Sequence, residues 1–164
     1  MNKPSISFII PYYKVELPLL ARAITSILRL EQKADWEVWV INDGTPGHEA
    51  EDYLGSLDDP RIHYYAQPNS GLGGARNTGI EMAQKEYIQF LDADDFLFQK
   101  AFSKILDVLG EKHPDLLSFE FKKVYRMSRL GKQSSKEAEL ISCSNTICTV
   151  ALVAIYSKSL HSVT

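Results

Sequence analysis

Three carboxylates fall within four positions, Asp92, Asp94 and Asp95, in the stretch QFLDADDFLF at residues 89–98, between two apolar runs. Charged side chains beside apolar neighbours cost free energy unless something pairs with them. Asp at i and i+2, just past an apolar run, suits a hard divalent cation. Mg²⁺ and Mn²⁺ prefer oxygen ligands, and Mg²⁺ is commonly held by one or two carboxylates together with substrate phosphates. A local reading competes: Asp94 or Asp95 caps the helix that follows and favours its dipole. One acidic residue fits that reading well; three in four positions fit it poorly.

Asp43, in INDGT, is a second candidate. A carboxylate at a strand end can accept an N–H from a nucleobase in a charge-assisted bond, and Tyr13 offers a face on which a base can stack. The plainer alternatives stand beside these. An Asp-Gly turn needs no function, and of Tyr12 and Tyr13 one packs under the sheet edge while the other faces solvent. The third candidate is NSGLGGARNTG at 69–79, where Asn69, Gly71, Gly73 and Gly74 make a loop that a ligand could approach closely. Arg76 follows at the start of a predicted helix, where its fork of donors suits phosphate. A Gly-rich turn with a surface Arg is the alternative. The segment is no dinucleotide fingerprint, because Arg76 holds the third Gly position and the loop follows the third predicted strand.

The elements that must position these residues alternate. Ile6–Ile10 is a β-branched run expected as a strand buried on both faces. Glu16–Leu30 has Pro18 in its first turn and apolar residues at helical spacing. Residues 36–42 form a second predicted strand, 49–57 a short helix, 61–66 a third strand and 67–74 a loop. A helix over Ala75–Gln84, a fourth strand over Tyr87–Leu91 and a helix through Phe102, Ile105, Leu106 and Leu109 complete the pattern. This order predicts an α/β fold, a mainly parallel sheet flanked by helices. In such sheets ligands sit outside the carboxyl ends of the strands, where Pro11–Tyr13, Asn42–Gly44 and Asp92–Asp95 all fall. Beyond them, 116–125 alternates as a half-exposed strand, 126–140 is a polar loop, and TVALVAIY near the end is a strand or a short helix.

The composition suits a globular domain: 164 residues, 45% hydrophobic and 24% charged, with a net charge of −3 and no basic block, so no nucleic-acid partner is expected. Cys143 and Cys148 match neither a C-x-x-C nor a metal knuckle and read as small buried thiols. No apolar run approaches the length of a spanning helix.

Taken together, SISFIIPYY, WEVWVINDGT, NSGLGGARNTGIEMA and EYIQFLDADD resemble, in order and spacing, the nucleotide-binding half of the family 2 glycosyltransferases, inverting enzymes with the GT-A fold. The resemblance spans residues 5–110, with 111–164 read as the incomplete start of an acceptor-side part. It implies a nucleotide-sugar donor, most often a UDP-sugar, and a glycan or lipid-linked acceptor. Asp92-Ala93-Asp94 matches the family's D-x-D motif, so that Asp94 holds Mg²⁺ or Mn²⁺ and Asp92 supports the ribose or sugar side. Asp43 matches the uracil-reading Asp, Tyr13 the base-stacking position, Pro11 a main-chain contact to base or ribose, and Arg76 the segment beneath the donor's phosphates. On this reading Asp95 caps the next helix.

Two departures stand out. Asn42 precedes Asp43 where many relatives carry an acidic pair. After Asp115 the remaining acidic residues, Glu120, Glu137 and Glu139, stand in no motif for the catalytic base, so the base is expected to be absent and the chain to be a shortened piece of a longer enzyme. Self-association or membrane-surface contact through the C-terminal apolar segment is expected, with the protein at the cytoplasmic face of a membrane. The alternative is a non-catalytic nucleotide-binding or assembly module. A sugar nucleotidyltransferase would want a basic Gly-rich loop after the first strand, and a receiver domain its acidic pair there.

Overall fold

The computed structural model describes residues 3–30, 33–120 and 152–157. Strand β1 (Ser5–Tyr12) leads to helix α1 (Leu17–Leu28), strand β2 (Asp35–Asp43), helix α2 (Glu49–Ser56) and strand β3 (Ile62–Gln67). Helix α3 (Gly71–Met82), strand β4 (Tyr87–Phe90) and helix α4 (Gln99–Lys112) follow, then strands β5 (Leu116–Glu120) and β6 (Leu152–Ser157). The chain divides into two compact units, Met1–Leu117 with Ala154–Thr164, and Ser118–Val153. The candidate residues lie in the first. The expected loop at 126–140, both cysteines, Glu137 and Glu139 lie outside the described residues.

The sheet of the first unit carries the strand order β3-β2-β1-β4, every one of these pairs parallel. Residues 155–157 of β6 run antiparallel beside β4, so the described part of the apolar segment near the end of the chain, from Leu152, is a strand. The α/β expectation holds. The first two crossovers step outward from β1 to β2 to β3. The third returns past β1 to β4, which makes the β1–β4 boundary the point where the winding reverses. Right-handed crossovers then put α3 on the face opposite α1 and α2.

The packing agrees. Below α3, Ile9, Ile41 and Ile88 form a buried cluster with Ala75 and Ala83. On the other face Phe8 meets Phe102 of α4, ring centroids 5.8 Å apart. Strand β1 has neighbours on both edges and both faces, which is why its apolar residues run without alternation. Gly79 lets α3 lie close to it: a methyl there would stand 2.3 Å from Ile9 Cγ2.

Helix α3 starts at Gly71, with Ser70 as N-cap, and not at Ala75. Arg76 therefore lies in its second turn. The caps expected of Asp94 and Asp95 are not formed either: α4 begins at Gln99, its N-cap is Phe98, and no side chain caps it. Asp95 instead closes a tight turn, its N–H donating to the Asp92 carbonyl at 2.9 Å.

Candidate functional site

The site is built from the carboxyl ends of β1, β2 and β4. The end of β2 is the most tightly organised. Asp43 is 3% exposed. Its Oδ1 accepts from the Ser70 main-chain N–H at 2.8 Å, from Gln67 Nε2 at 2.8 Å and from Ser70 Oγ at 3.1 Å. Its carbonyl accepts from Asn69 Nδ2 at 2.9 Å. Burial pushes its carboxyl upward, but the Ser70 N–H, the Gln67 and Ser70 side chains and the Gly71 N–H together outweigh that and hold it below its ordinary value. Asp43 thus serves the N-terminus of α3 from another strand, where the helix dipole favours negative charge.

Asn42, beside it, shapes the turn that follows. Its Nδ2 donates to the Thr45 carbonyl at 2.9 Å and to Tyr64 Oη at 2.7 Å, while its Oδ1 accepts the Thr45 N–H at 2.7 Å. A carboxylate could accept but not donate in this way, so Asn supplies what an acidic residue here could not. Gly44 takes a φ of +86°, the conformation an Asp-Gly turn requires.

The end of β1 joins this group. Pro11 and Tyr12 are buried and sit level with Ile41 and Asn42 of β2. Tyr13, 44% exposed, presents its ring to solvent with Lys14 Nζ 4.9 Å from the centroid. The Lys14 N–H donates to Thr45 Oγ1 at 2.8 Å, tying the first loop to the second.

The end of β4 differs. Asp92, Asp94 and Asp95 are exposed while Ala93 between them is buried. Arg76 Nη2 donates to Asp92 Oδ1 at 3.0 Å and its guanidinium lies 5.2 Å from the Phe90 ring centroid, so α3 spans from the Asp43 cluster to the acidic turn. Burial, then the charges of Asp94 and Asp92, push the Asp95 carboxyl above its ordinary value, with Arg22 opposing. Strand β1 separates β2 from β4, so the two strand ends lie roughly 10 Å apart, the span of a small ligand.

Among the described residues no three His, Cys, Asp or Glu side chains gather into a metal cage. Asp92 and Asp94 are two exposed carboxylates, hard oxygen donors fitted to a cation that brings further oxygen ligands with it. Asp92 already shares a charge with Arg76, so of the two carboxylates Asp94 is the one that could take up a cation more readily.

The structure therefore sets Pro11, Tyr13 and Asp43 at the adjacent ends of β1 and β2, and Arg76, Asp92 and Asp94 at the end of β4. Sequence reasoning missed Gln67, Ser70 and Thr45, which set the first group. Ser70 ahead of a helical segment carries an N-cap signal; Gln67 carries none. It also missed Arg22 and Ser26 of α1, although a Ser on an otherwise apolar helix face marks a buried partner.

The chain matches the family model described as "Glycosyl transferase family 2" over residues 7–157. It is 39% identical over 123 residues to "Uncharacterized glycosyltransferase EpsJ" of Bacillus subtilis, covering 73% of this chain and 35% of that protein. It is 38% identical over 94 residues to "Succinoglycan biosynthesis protein ExoW" of Rhizobium meliloti, covering 55% of this chain and 29% of that one. The chain thus spans about a third of the length of these relatives. Its fold superposes on the crystal structure of S. aureus TarS 1–349 in complex with UDP with a TM-score of 0.70 and 23% identity, over 95% of this chain and 47% of that one. The strand order, the clusters at the strand ends and the extent of the family match agree, and the chain belongs to glycosyl transferase family 2, with its GT-A fold.

Proposed function

We propose that this chain binds the donor of a sugar transfer, a UDP-sugar, across the carboxyl ends of β2, β1 and β4, with Mg²⁺ or Mn²⁺ at Asp94, and that the protein to which it belongs passes the sugar with inversion to a glycan or lipid-linked acceptor. The observation that carries this reading is the pairing of a fixed, buried carboxylate at Asp43 with an exposed acidic turn two strands away, the two linked by α3, whose N-cap Ser70 bonds Asp43 and whose Arg76 bonds Asp92. The structural neighbour TarS is described in complex with UDP, and the name of ExoW refers to succinoglycan biosynthesis; both support a nucleotide donor and a polysaccharide product.

Each residue then has a task. Asp43, held ionised, accepts the N–H of the base edge, while Tyr13 supplies the stacking face and the Pro11 main chain borders the base or ribose. Asp92 supports the ribose or sugar side and Arg76 holds it in place beneath the phosphates. Breaking the sugar–phosphate bond builds positive charge on the sugar and negative charge on the departing diphosphate. A divalent cation at Asp94, when bound, stabilises that leaving group as a Lewis acid. Ala93, buried between two exposed aspartates, fixes the turn without crowding it. Removal of the acceptor proton needs a base, and no described residue of this chain is assigned that task. On this reading the protein works at the cytoplasmic face of a membrane; among the described residues no helix is long and apolar enough to cross one.

The test is titration calorimetry of UDP into the chain with Mn²⁺ and then with EDTA, beside Asp94→Ala. Binding that needs Mn²⁺ and disappears in the variant is expected. A folded wild type that takes up no UDP under either condition sinks the donor reading and favours an assembly module.

A further inference from the structure

The acidic turn receives support from the opposite side of the sheet. Residues 91–98 form neither helix nor strand, and ordering such a stretch costs backbone entropy that its own single turn bond does not recover. Helix α1 supplies the missing contacts. Arg22 Nη2 donates to the Asp94 carbonyl at 2.5 Å, and its guanidinium lies 5.0 Å from the Phe96 ring centroid. Four residues further along, Ser26 Oγ accepts the Leu97 N–H at 2.9 Å, and the Ser26 carbonyl accepts from Gln99 Nε2 at 2.6 Å. The i, i+4 spacing sets Arg22 and Ser26 on one face of α1, so one helix grips the segment at Asp94 and Leu97 and the start of α4 at Gln99. Ser26 is buried, and the remaining Arg22 donor nearest the stem, Nε, is buried without a partner among the described residues.

The bond from Arg22 goes to the carbonyl of Asp94 and not to a carboxylate. A guanidinium paired with the Asp94 side chain would compete with a cation. One that holds the Asp94 peptide plane instead fixes the direction of its Cα–Cβ bond and leaves the carboxylate to a ligand.

We propose that Arg22 is a positioning residue for the donor site: through the Asp94 carbonyl it sets the direction from which the Asp94 carboxylate meets a divalent cation, with Ser26 anchoring the far end of the turn. The cation part of this inference rests on the donor reading above; the grip itself does not.

The test compares the full chain with Arg22→Ala, Arg22→Lys and Ser26→Ala. Amide hydrogen exchange is followed by NMR without ligand, and UDP is titrated with Mn²⁺ and with EDTA. In Arg22→Ala, exchange at Asp95 and Leu97 speeds up by about tenfold or more while β1 and β2 keep their protection, and the Mn²⁺-dependent affinity for UDP falls by about tenfold, the loss expected for one hydrogen bond from a charged donor. Arg22→Lys recovers part of both, because an ammonium can still donate to the carbonyl. Should Arg22→Ala fail to fold, Ser26→Ala carries the same expectation at Leu97. Unchanged exchange in 92–97 overturns the proposal, and so does faster exchange with unchanged Mn²⁺-dependent affinity. If the wild type itself shows no Mn²⁺-dependent binding, the donor reading falls, and exchange alone then decides whether Arg22 holds the turn.

Discussion

The ends of β2 and β4 lie two strands apart and are built on opposite principles. At the end of β2 a buried carboxylate is already fixed in place: Asp43 Oδ1 is fastened by Ser70 and Gln67 and shares in holding the start of α3. At the end of β4 three exposed carboxylates stand close in sequence, with Arg76 reaching one of them and Arg22 holding only the main chain. The first end is rigid before any ligand arrives and suits recognition of a fixed shape such as a base edge. The second keeps negative charge open to solvent and suits a cation. The difference separates a carboxylate built into the hydrogen bonding of the fold from one turned to solvent.

That separation can be broken most directly by truncating both carboxylates. Asp43→Ala leaves the Ser70 N–H and the Gln67 amide without their acceptor, and a loss of about 1–3 kcal/mol in urea unfolding is expected. Asp94→Ala should stay within ~0.5 kcal/mol of wild type, as exposed substitutions usually do, while losing Mn²⁺-dependent UDP binding. Equal stability losses would erase the distinction. Acidification gives a smaller effect of known sign. The folded carboxyl of Asp43 lies below its unfolded value, so its contribution is complete above the unfolded value of about 3.9 and fades as pH falls through the folded one. The gap in Tm between wild type and Asp43→Asn should therefore narrow below about pH 4; a gap that widens there contradicts the bonding described. The smallest effect belongs to the half-exposed Arg76–Asp92 pair, where a double-mutant cycle in unfolding experiments should return no more than about 1 kcal/mol. A larger coupling would make the β4 end as pre-built as the β2 end.

Much of the scaffold was legible in the residues. The strands β1, β2 and β4 announce themselves through largely apolar runs, broken at Ser7, Glu37 and Gln89, because each is covered on both faces, and the parallel order follows from alternation. The polar clusters after those strands pointed to one edge of the sheet for the same reason. The start of α3 was not legible. Gly71, Gly73 and Gly74 have poor helix propensity, and what offsets it is a carboxylate from β2, 27 residues away in sequence from the Ser70 N–H it accepts. Local propensity cannot see a helix end served from another strand. Asp95 was misread for the converse reason. An acidic residue ahead of a helix looks like a cap, yet three residues, Phe96, Leu97 and Phe98, intervene before Gln99 opens α4. Arg22 was invisible because its acceptor is a main-chain carbonyl 72 residues away, and main-chain atoms leave no trace in a sequence.

The central place of β1 has a consequence for how the chain is made. It precedes both of the strands it pairs with, β2 on one edge and β4 on the other. As the chain leaves the ribosome at about 5–20 residues per second, β4 trails β1 by on the order of 4–15 s. During that interval the most apolar strand of the sheet carries an open parallel edge. Parallel pairings of such separation form slowly, so for those seconds the nascent chain presents an unpaired strand edge to whatever else can pair with it.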